Sequence, residues 1–483
     1  MGQKISIDPV TRVEGHGKVT IYLDDEGNVF QTRLHIVEFR GFERFVQGRP
    51  YWEMPVLVQR LCGICPVSHH LAAAKALDVI VGAGTGDGLT PTAEKMRRLM
   101  HYGQIFQSHS LHFFHLASPD IVFGIDGDPL QRNIIGVAIQ NKDLAVQGVM
   151  MRKFGQEIIE ATAGKKIHGT GAIPGGINKH LTAEERDRFL HGHDPLNADK
   201  MIEWSLSAVN FFKDYHKKNK DLVDNFAVFP SNHLSLVRKD GAMDLYHGVL
   251  RAVDPEGKKI LHDVDYQDYL SYIDEEVRPW SYMKFPYLKE YGKKEGWYTV
   301  GPLARLNTAD FIPTPLAQKE CEEFKAYTKG KPNCMSLHMH WARLIEILHA
   351  AEMMKELLND PDIVEGKLVV KGNKQNEGIG LLEAPRGTLF HHYGIDGKDQ
   401  IVMANLIVST TNNNQPMNEA VSFIARNYLT GQTEITESML NAVEVGIRAY
   451  DPCLSCATHA FGQMPLEISL YDSGNNLIDQ KRK

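Results

Sequence analysis

Apolar residues recur at steps of three and four along much of the chain, which is the spacing that places them on one face of an α-helix. The pattern predicts helices at 55–61, 90–116, 130–163, 316–329, 339–358 and 436–450. We expect the third of these to end at Gly164, because glycine is common just after a helix. Pro452 disfavours helical backbone at Asp451, so the last helix should end just before that residue.

Strand-like alternation of apolar and polar residues is confined to shorter segments. It predicts a small antiparallel sheet within 4–36, strands near 366–371 and 400–409, and strands and loops from about 230 to 300. The segment 168–179 is too rich in glycine for either regular structure. These elements together predict an α+β protein that is mainly helical, with a core bundle of long helices and small β-sheets at its periphery.

Composition places the chain among ordinary globular proteins. Of its 483 residues, 43% are hydrophobic and 23% are charged. No apolar run approaches the roughly 20 residues that a membrane helix requires. The net charge of −7 offers no basic face for phosphate, which argues against nucleic acid as a ligand. The first residues lack the apolar region of a secretory signal, so we expect a cytoplasmic protein.

Four of the six cysteines stand in two Cys-x-x-Cys pairs at opposite ends of the chain. Cys62 and Cys65 lie in RLCGICPVSHH, and Cys453 and Cys456 lie in DPCLSCATHA. Thiolates are soft ligands, so the four together predict a metal site built from both ends of the chain. Structural zinc is one alternative, although zinc sites usually draw their ligands from within tens of residues. The spacing alone leaves zinc and a redox-active metal open.

The residues around both pairs resemble the two nickel-iron motifs of the hydrogenase large subunit, RxCGICxxSHH and DPCLSCATH. Further matches are DPVTRVEGHGKV, FRGFE, PTAEKMRR, PGGI, GPLARLN, EAPRGTL and STTNNN. The segments WSYMKFPYLKE and DPCLSCATHAFGQMPL are most similar to the soluble, bidirectional NAD-reducing hydrogenases. The resemblance covers essentially the whole chain. It implies the fold of that subunit and reversible heterolytic cleavage of H2.

The resemblance also implies how the sulfur atoms would be used. Cys62 and Cys453 would be terminal ligands of nickel, and Cys65 and Cys456 would bridge nickel to iron. The iron would carry carbonyl and cyanide ligands made by separate maturation proteins. Cys453 would accept the first proton from H2.

Other site residues follow from the same resemblance. Arg386 would lie over the metals and polarise H2, and Thr410 would donate to a cyanide. Ser409 and Ser108 depart from the family, because many relatives have proline and aspartate at these positions. The missing carboxylate would leave Asp451 and Arg386 to provide the electrostatic environment above the site.

Four further residues match functional positions of the family. His69 resembles a donor to a bridging sulfur, which would orient that thiolate. Glu14 resembles the first carboxylate of a proton relay, with a salt bridge to Arg12 as the alternative. Glu43 and His459 match positions that bind magnesium or a similar ion together with a backbone carbonyl.

Electrons released from H2 are usually carried by iron-sulfur clusters, which need three or four cysteines each. Only Cys321 and Cys334 remain, and we expect both to be buried, inert thiols. The chain therefore requires a small partner subunit that holds the clusters. The glycine-containing segments at 82–88 and 378–383 do not fit a dinucleotide fingerprint. Flavin and NAD would then bind on diaphorase subunits.

The resemblance also divides the chain. Residues 1–460 would form one large-subunit domain, with an N-terminal β region at about 1–36, a helical core and a peripheral α/β region at about 230–310. Residues 461–483 resemble an extension that a maturation endopeptidase removes after nickel insertion, cutting after His459 or Ala460. Proteins that insert nickel and iron would be further partners.

These observations favour the catalytic subunit of a cytoplasmic, NAD-reducing hydrogenase. A hydrogenase of the methyl-viologen-reducing type, with another electron acceptor, is the alternative within the enzyme class. A zinc-stapled structural subunit without redox chemistry is the alternative outside it.

Overall fold

Long helices form the centre of the molecule in this computed structural model. The structure describes residues 3–83, 88–432, 434–458, 467–471 and 477–482. The longer helices are Pro66–Ile80, Pro91–Leu111, Lys142–Ala163, Ala183–His191, Ala198–Lys218, Pro315–Tyr327, His338–Asn359, Asn414–Leu429 and Glu437–Ala449. Shorter helices are Phe42–Phe45, Met54–Leu57, Ser118–Phe123, Ile134–Gln140, Lys220–Asn225, Tyr269–Tyr272, Gly292–Glu295, Pro302–Thr308 and Ser409–Asn412.

Two long and largely buried helices, Pro91–Leu111 and His338–Asn359, pack against each other. Pro91–Leu111 also packs against Lys142–Ala163, and the two backbones approach closely at Gly103 and Gly155. A Cβ atom added to Gly155 would lie 2.7 Å from the carbonyl oxygen of Gly103. Only glycine therefore permits this crossing, which brings the two helices into direct backbone contact.

Small sheets surround the helices. One antiparallel sheet contains Lys4–Ile7, Gly17–Leu23 and Val29–Ile36, and another contains Glu377–Ala384, Gly387–Ile395 and Ile401–Ile407. A four-stranded sheet has the order Tyr298–Thr299, Asn232–Val237, Val249–Val253 and Lys259–Val264, with its first pair parallel. Two-stranded pairs are Ala172–Ile173 with Gly176–Ile177, Ile273–Glu276 with Phe285–Leu288, and Glu467–Tyr471 with Leu477–Arg482.

The predicted fold class, mainly helical α+β, is confirmed. The predicted helices at 316–329 and 339–358 correspond to Pro315–Tyr327 and His338–Asn359, and the last predicted helix to Glu437–Ala449. None of the described helices has the length and apolar character needed to cross a lipid bilayer.

Three predicted elements were wrong. The segment 130–163 forms two helices, because the side chain of Asn141 accepts a hydrogen bond from the Leu144 N–H and starts a new helix. The segment 168–179 contains a short hairpin rather than only loop. No residue of the segment 366–371 is buried, and the segment gives only an isolated bridge at Val369, so its alternation buries no face.

Candidate metal centre

The two Cys-x-x-Cys segments meet in the interior of the molecule. Cys62 follows a 3-10 turn, Val58–Leu61, and Cys65 immediately precedes helix Pro66–Ile80. The Cys62 Sγ atom lies 3.3 Å from that of Cys453, and the Cys65 Sγ atom lies 4.0 Å from that of Cys456. Cys453 and Cys456 are paired as a disulfide, which must be reduced to two thiolates before these sulfur atoms can bind a metal, while Cys62 and Cys65 are free thiols. All four sulfur atoms are buried and lie within 4.8 Å of one another.

The N-terminal segment holds the C-terminal cysteine loop by main-chain pairing. Glu14 forms a parallel β-bridge with Cys453, and its carbonyl oxygen accepts a 3.0 Å hydrogen bond from the Leu454 N–H. Gly15 has φ of +82°, and a Cβ atom there would lie 2.8 Å from the Ser455 nitrogen. This approach requires glycine, so the motif RVEGHG is shaped by its contact with the other end of the chain.

Backbone and charge favour ionisation of Cys62. The Ile64 and Cys65 N–H groups lie 3.2 and 3.3 Å from its sulfur. Burial alone would raise the pKa of Cys62, but the hydrogen bond with Cys65 and the positive charge of Arg386 hold that pKa below the ordinary thiol value. The same hydrogen bond and burial raise the pKa of Cys65. Cys62 is therefore the more acidic thiol of the pair.

Glutamine side chains fix the loop between the two N-terminal cysteines. The Gln104 and Gln107 amides, from helix Pro91–Leu111, both donate to the Ile64 carbonyl oxygen at 3.0 and 2.7 Å. The loop that presents the sulfur atoms is therefore attached to the central helix.

Arg386 and Asp451 form a buried ion pair beside the sulfur atoms. The Arg386 Nη2 atom donates to the Asp451 Oδ1 atom at 3.0 Å, and its Nε atom donates to the Asp451 carbonyl oxygen. Burial disfavours the charged guanidinium, but Asp451 and the cysteines outweigh it and raise the pKa of Arg386. Burial raises the pKa of Asp451 although Arg386 opposes this. Among the described residues, nothing bonds to the Arg386 Nη1 atom or the Asp451 Oδ2 atom.

Thr410 and His69 line a pocket that is also bordered by Arg386 and by Cys65 and Cys453. The Thr410 Oγ1 atom accepts a 3.0 Å hydrogen bond from the Cys453 N–H. The His69 Nδ1 atom lies 3.1 Å from the His391 Nε2 atom, and the His391 Nδ1 atom lies 2.7 Å from the Tyr393 hydroxyl. This chain of buried rings fixes the orientation of His69.

Glu14 reaches the cysteines rather than Arg12. Its Oε2 atom lies 3.1 Å from both the Cys453 sulfur and the Ser455 nitrogen, and its Oε1 atom accepts from the Ser455 hydroxyl. Arg12 instead pairs with Asp120 at 2.5 Å. Arg12 therefore forms its salt bridge with Asp120 and not with Glu14. The Glu14 carboxylate lies against the Cys453 sulfur instead.

The two departures from the family lie in different surroundings. The Ser409 hydroxyl donates to the Gly387 carbonyl oxygen at 2.7 Å, so it ties the pocket wall to a neighbouring strand. The Ser108 hydroxyl is buried and has no hydrogen-bond partner in the described part of the chain.

Glu43 lies away from the sulfur atoms, where its Oε1 atom accepts a 2.8 Å hydrogen bond from the Leu406 N–H. Burial raises the pKa of Glu43, and the charge of Lys284 opposes this. His459, its proposed companion at a magnesium site, lies outside the described residues.

The donor set fits a thiolate-bound metal centre. Four buried sulfur atoms are soft ligands at mutual distances that metal ions can bridge. The unpartnered Arg386 Nη1 atom borders the same pocket, which is also lined by Ser68 and Pro385. A buried donor without a partner is costly, so groups that accept from Arg386 suit this position.

Several residues at the site were not identified from the sequence. Ser455 and His391 contact Glu14 and His69, Ser68 lines the pocket, and the two glutamines hold the cysteine loop. Ser68 and Ser455, which lie within the first and second cysteine motifs, had a signal in the sequence. The others are recruited from distant elements.

Comparison with known proteins identifies the class to which this fold and cysteine site correspond. A family model described as nickel-dependent hydrogenase matches residues 40–127 and 200–459, and one described as HoxL-like matches residues 4–39. The chain belongs to the nickel-dependent hydrogenase family. The resemblance predicted from the cysteine motifs is thus confirmed.

Individual relatives are similar over their whole lengths. The chain is 54% identical to the NAD-reducing hydrogenase HoxS subunit beta of Cupriavidus necator over 100% of both chains. It is 44% identical to a vhc subunit of the F420-non-reducing hydrogenase of Methanococcus voltae over 97% of both. A crystal structure of an NAD+-reducing NiFe-hydrogenase in the H2-reduced state matches with a TM-score of 0.90 and 53% identity, covering 95% of this chain and 99% of that one.

Proposed function

We propose that this chain is the catalytic large subunit of a cytoplasmic, NAD-reducing hydrogenase that cleaves H2 reversibly and heterolytically. The observation that carries the proposal is the meeting of four buried cysteine sulfur atoms, from both ends of the chain, within 4.8 Å. The full-length identity of 54% to one subunit of an NAD-reducing hydrogenase supports the choice of NAD+ as electron acceptor.

Cys62 and Cys453 would hold nickel as terminal ligands, and Cys65 and Cys456 would hold nickel and iron together. Such a centre, with carbonyl and cyanide on the iron, supplies the Lewis acidity and redox capacity for splitting H2. The lowered pKa of Cys62 supports its use as a thiolate ligand.

The protein would move the proton through Cys453 and Glu14. The Cys453 sulfur is 3.1 Å from the Glu14 carboxylate, which is within range for direct transfer. Ser455 holds that carboxylate through its N–H and hydroxyl groups, so Glu14 stays directed at the sulfur.

Arg386 would place a fixed positive charge at the pocket, where its Nη1 atom remains available. Asp451 holds the guanidinium plane through two hydrogen bonds. Thr410 would donate to a cyanide, and His69, held by His391, would orient a bridging sulfur. Glu43 and His459 would bind magnesium.

Partner subunits would carry the electrons. Cys321 is buried, Cys334 is partly buried, and burial raises the pKa of both thiols, which suits inert residues better than cluster ligands. A small subunit with iron-sulfur clusters would complete the enzyme, together with diaphorase subunits that bind flavin and NAD. Residues 1–460 would form the mature domain after proteins insert nickel and iron and an endopeptidase removes 461–483.

The test is to purify the native complex, measure its metals and assay H2-driven reduction of NAD+. The proposal expects about one nickel and one iron at the cysteine site per mature large subunit, with H2-dependent formation of NADH. Zinc alone would establish the structural alternative. Turnover with viologen dyes but not with NAD+ would assign the other type of hydrogenase.

A further inference from the structure

Two histidines and an aspartate converge at a place that shares no residue with the cysteine site. His216 belongs to helix Ala198–Lys218, Asp224 to helix Lys220–Asn225, and His338 begins helix His338–Asn359. Their ligand atoms all lie within 4.8 Å of one another. The His216 Nε2 atom is 2.7 Å from the Asp224 Oδ1 atom, and the His338 Nε2 atom is 3.5 Å from the same oxygen.

The ring of His338 leaves one polar atom unused. Its side chain is 0% exposed, and its Nε2 atom, which lies 3.5 Å from the Asp224 Oδ1 atom, has no hydrogen-bond partner in the described ranges. A buried, unpartnered nitrogen of this kind calls for a ligand.

The remaining contacts hold the aspartate in a suitable orientation. The Tyr327 hydroxyl donates to the Asp224 Oδ2 atom at 2.6 Å, and Lys220 contacts the same oxygen. The Oδ1 atom is thus left to face both histidines.

We propose that His216, Asp224 and His338 form a second metal site, which binds a divalent ion of the zinc class through two imidazoles and one carboxylate. Tetrahedral zinc with bonds of about 2.0–2.1 Å separates its ligand atoms by roughly 3.3 Å. The His338 to Asp224 distance of 3.5 Å already fits, and the His216 to Asp224 distance of 2.7 Å needs to open slightly. A solvent molecule would take the fourth position. Binding would fasten helix Lys220–Asn225 to the start of the central helix His338–Asn359.

Asn333 sets the strength of this site. Its Nδ2 atom lies 2.7 Å from the His338 Nδ1 atom, and its Oδ1 atom accepts a 3.0 Å hydrogen bond from the Met335 N–H. A histidine that binds metal through Nε2 carries its proton on Nδ1, and this proton needs an acceptor. The amide must therefore turn over and give up its bond to Met335. A carboxylate at position 333 would accept from both groups, so N333D is expected to bind zinc more tightly.

Zinc added alone to the mature complex tests the proposal, because nickel and iron at the cysteine site are distinguished from zinc by element. After equilibration at a series of free zinc concentrations, bound zinc is measured by mass spectrometry and its ligands by zinc X-ray absorption. We expect one additional zinc per chain, with nitrogen and oxygen ligands at about 2.0–2.1 Å. H338Q and D224N should weaken binding at least tenfold, and N333D should strengthen it.

D221N is the matched control, since Asp221 is exposed on the same short helix and lies outside the cluster. Its zinc affinity should equal that of the wild type. Unchanged affinity in H338Q and N333D, or sulfur ligands at about 2.3 Å, would overturn the proposal. N333D guards against a trivial outcome, because a variant that binds more tightly has not failed to fold. A filled site should also raise the melting temperature.

Discussion

At the scale of single residues, one carboxylate placed against one sulfur determines how protons would leave the centre. Glu14 is half-buried, its Oε2 atom is 3.1 Å from the Cys453 sulfur, and Ser455 donates to both of its oxygens. Proton transfer between such atoms requires a group that both accepts and releases a proton. A glutamine has nearly the same shape but cannot do this.

E14Q is therefore expected to keep its metals and to lose H2 turnover by about 10²- to 10⁴-fold. Metal content, H2 oxidation and isotope exchange between H2 and D2O would be measured on the same preparation. E38Q serves as the control, because Glu38 bonds to the exposed His16 and not to a cysteine. If E14Q exchanged isotopes at close to the wild-type rate, the relay would have to start elsewhere.

The sequence predicts site residues well where they lie within a motif. The four cysteines and Arg386 were identified in this way, and the structure brings them together. His391, Gln104 and Gln107 lie outside these motifs and could not be identified in this way. Their contacts depend on the packing of a strand and a long helix against the cysteine loop.

At the scale of elements, helix Pro66–Ile80 carries both His69 and a buried lysine. The Lys75 Nζ atom donates to the carbonyl oxygens of Tyr246 and Leu381, with no carboxylate in contact among the described residues. Burial lowers the pKa of Lys75 to about 7. The helix therefore buries a group whose charge state changes near neutral pH.

This lysine should make the stability of the chain depend on pH. An unfolded lysine has a pKa of about 10.4. Between about pH 7 and that value, the unfolded chain binds a proton that the folded chain does not, so the free energy of unfolding rises with pH. The slope approaches about 1.4 kcal/mol per pH unit. Below pH 7 the slope falls to zero because both states are protonated, and the destabilisation by the buried charge is then at its greatest.

K75M removes this contribution. Relative to the wild type, the variant should gain most stability near pH 7 and progressively less towards pH 9.5, as measured by denaturant unfolding of the full chain. K153M, which replaces an exposed lysine on another helix, should follow the wild-type profile. Parallel profiles for wild type and K75M would mean that Lys75 keeps its proton in the folded chain.

Elements were predicted best where a regular spacing of apolar residues extends over a long segment whose apolar face is buried. Helix His338–Asn359 has this property, and its predicted limits were off by only one residue at each end. The strand predicted at 366–371 was wrong because short alternation does not reveal whether a face is buried. The buried strands Glu377–Ala384 and Gly387–Ile395 lack alternation for the opposite reason, since both of their faces are covered.

At the scale of the whole molecule, the centre exists only because the two ends of the chain are joined. Glu14 pairs with Cys453, Arg448 donates to the Thr11 carbonyl oxygen, and Glu444 accepts from the Thr11 N–H. Such contacts, more than 400 residues apart, are invisible to local patterns. The family motifs at both ends of the chain predicted that the four cysteines meet. Only the structure shows which groups form the contacts that bring the two ends together.

The proposed bridging ligand Cys456 belongs to the C-terminal half of this joined centre. C456S replaces a soft thiolate by a hydroxyl, which binds nickel and low-valent iron weakly. The variant should contain no nickel or iron at the cysteine site and have no H2 activity. The side chain is 0% exposed and the two residues differ little in size, so the unprocessed chain should keep its fold by circular dichroism and thermal unfolding.

C321S distinguishes a ligand from a merely buried cysteine. Cys321 is 2% exposed on helix Pro315–Tyr327 and outside the sulfur cluster, so its replacement should retain metal and activity. If C456S retained H2 turnover, its sulfur would not be a bridging ligand. If both variants lost metal alike, the loss would reflect a disturbed interior rather than coordination. If the two ends of the chain build the centre together, C456S should lose its nickel and iron while C321S retains them.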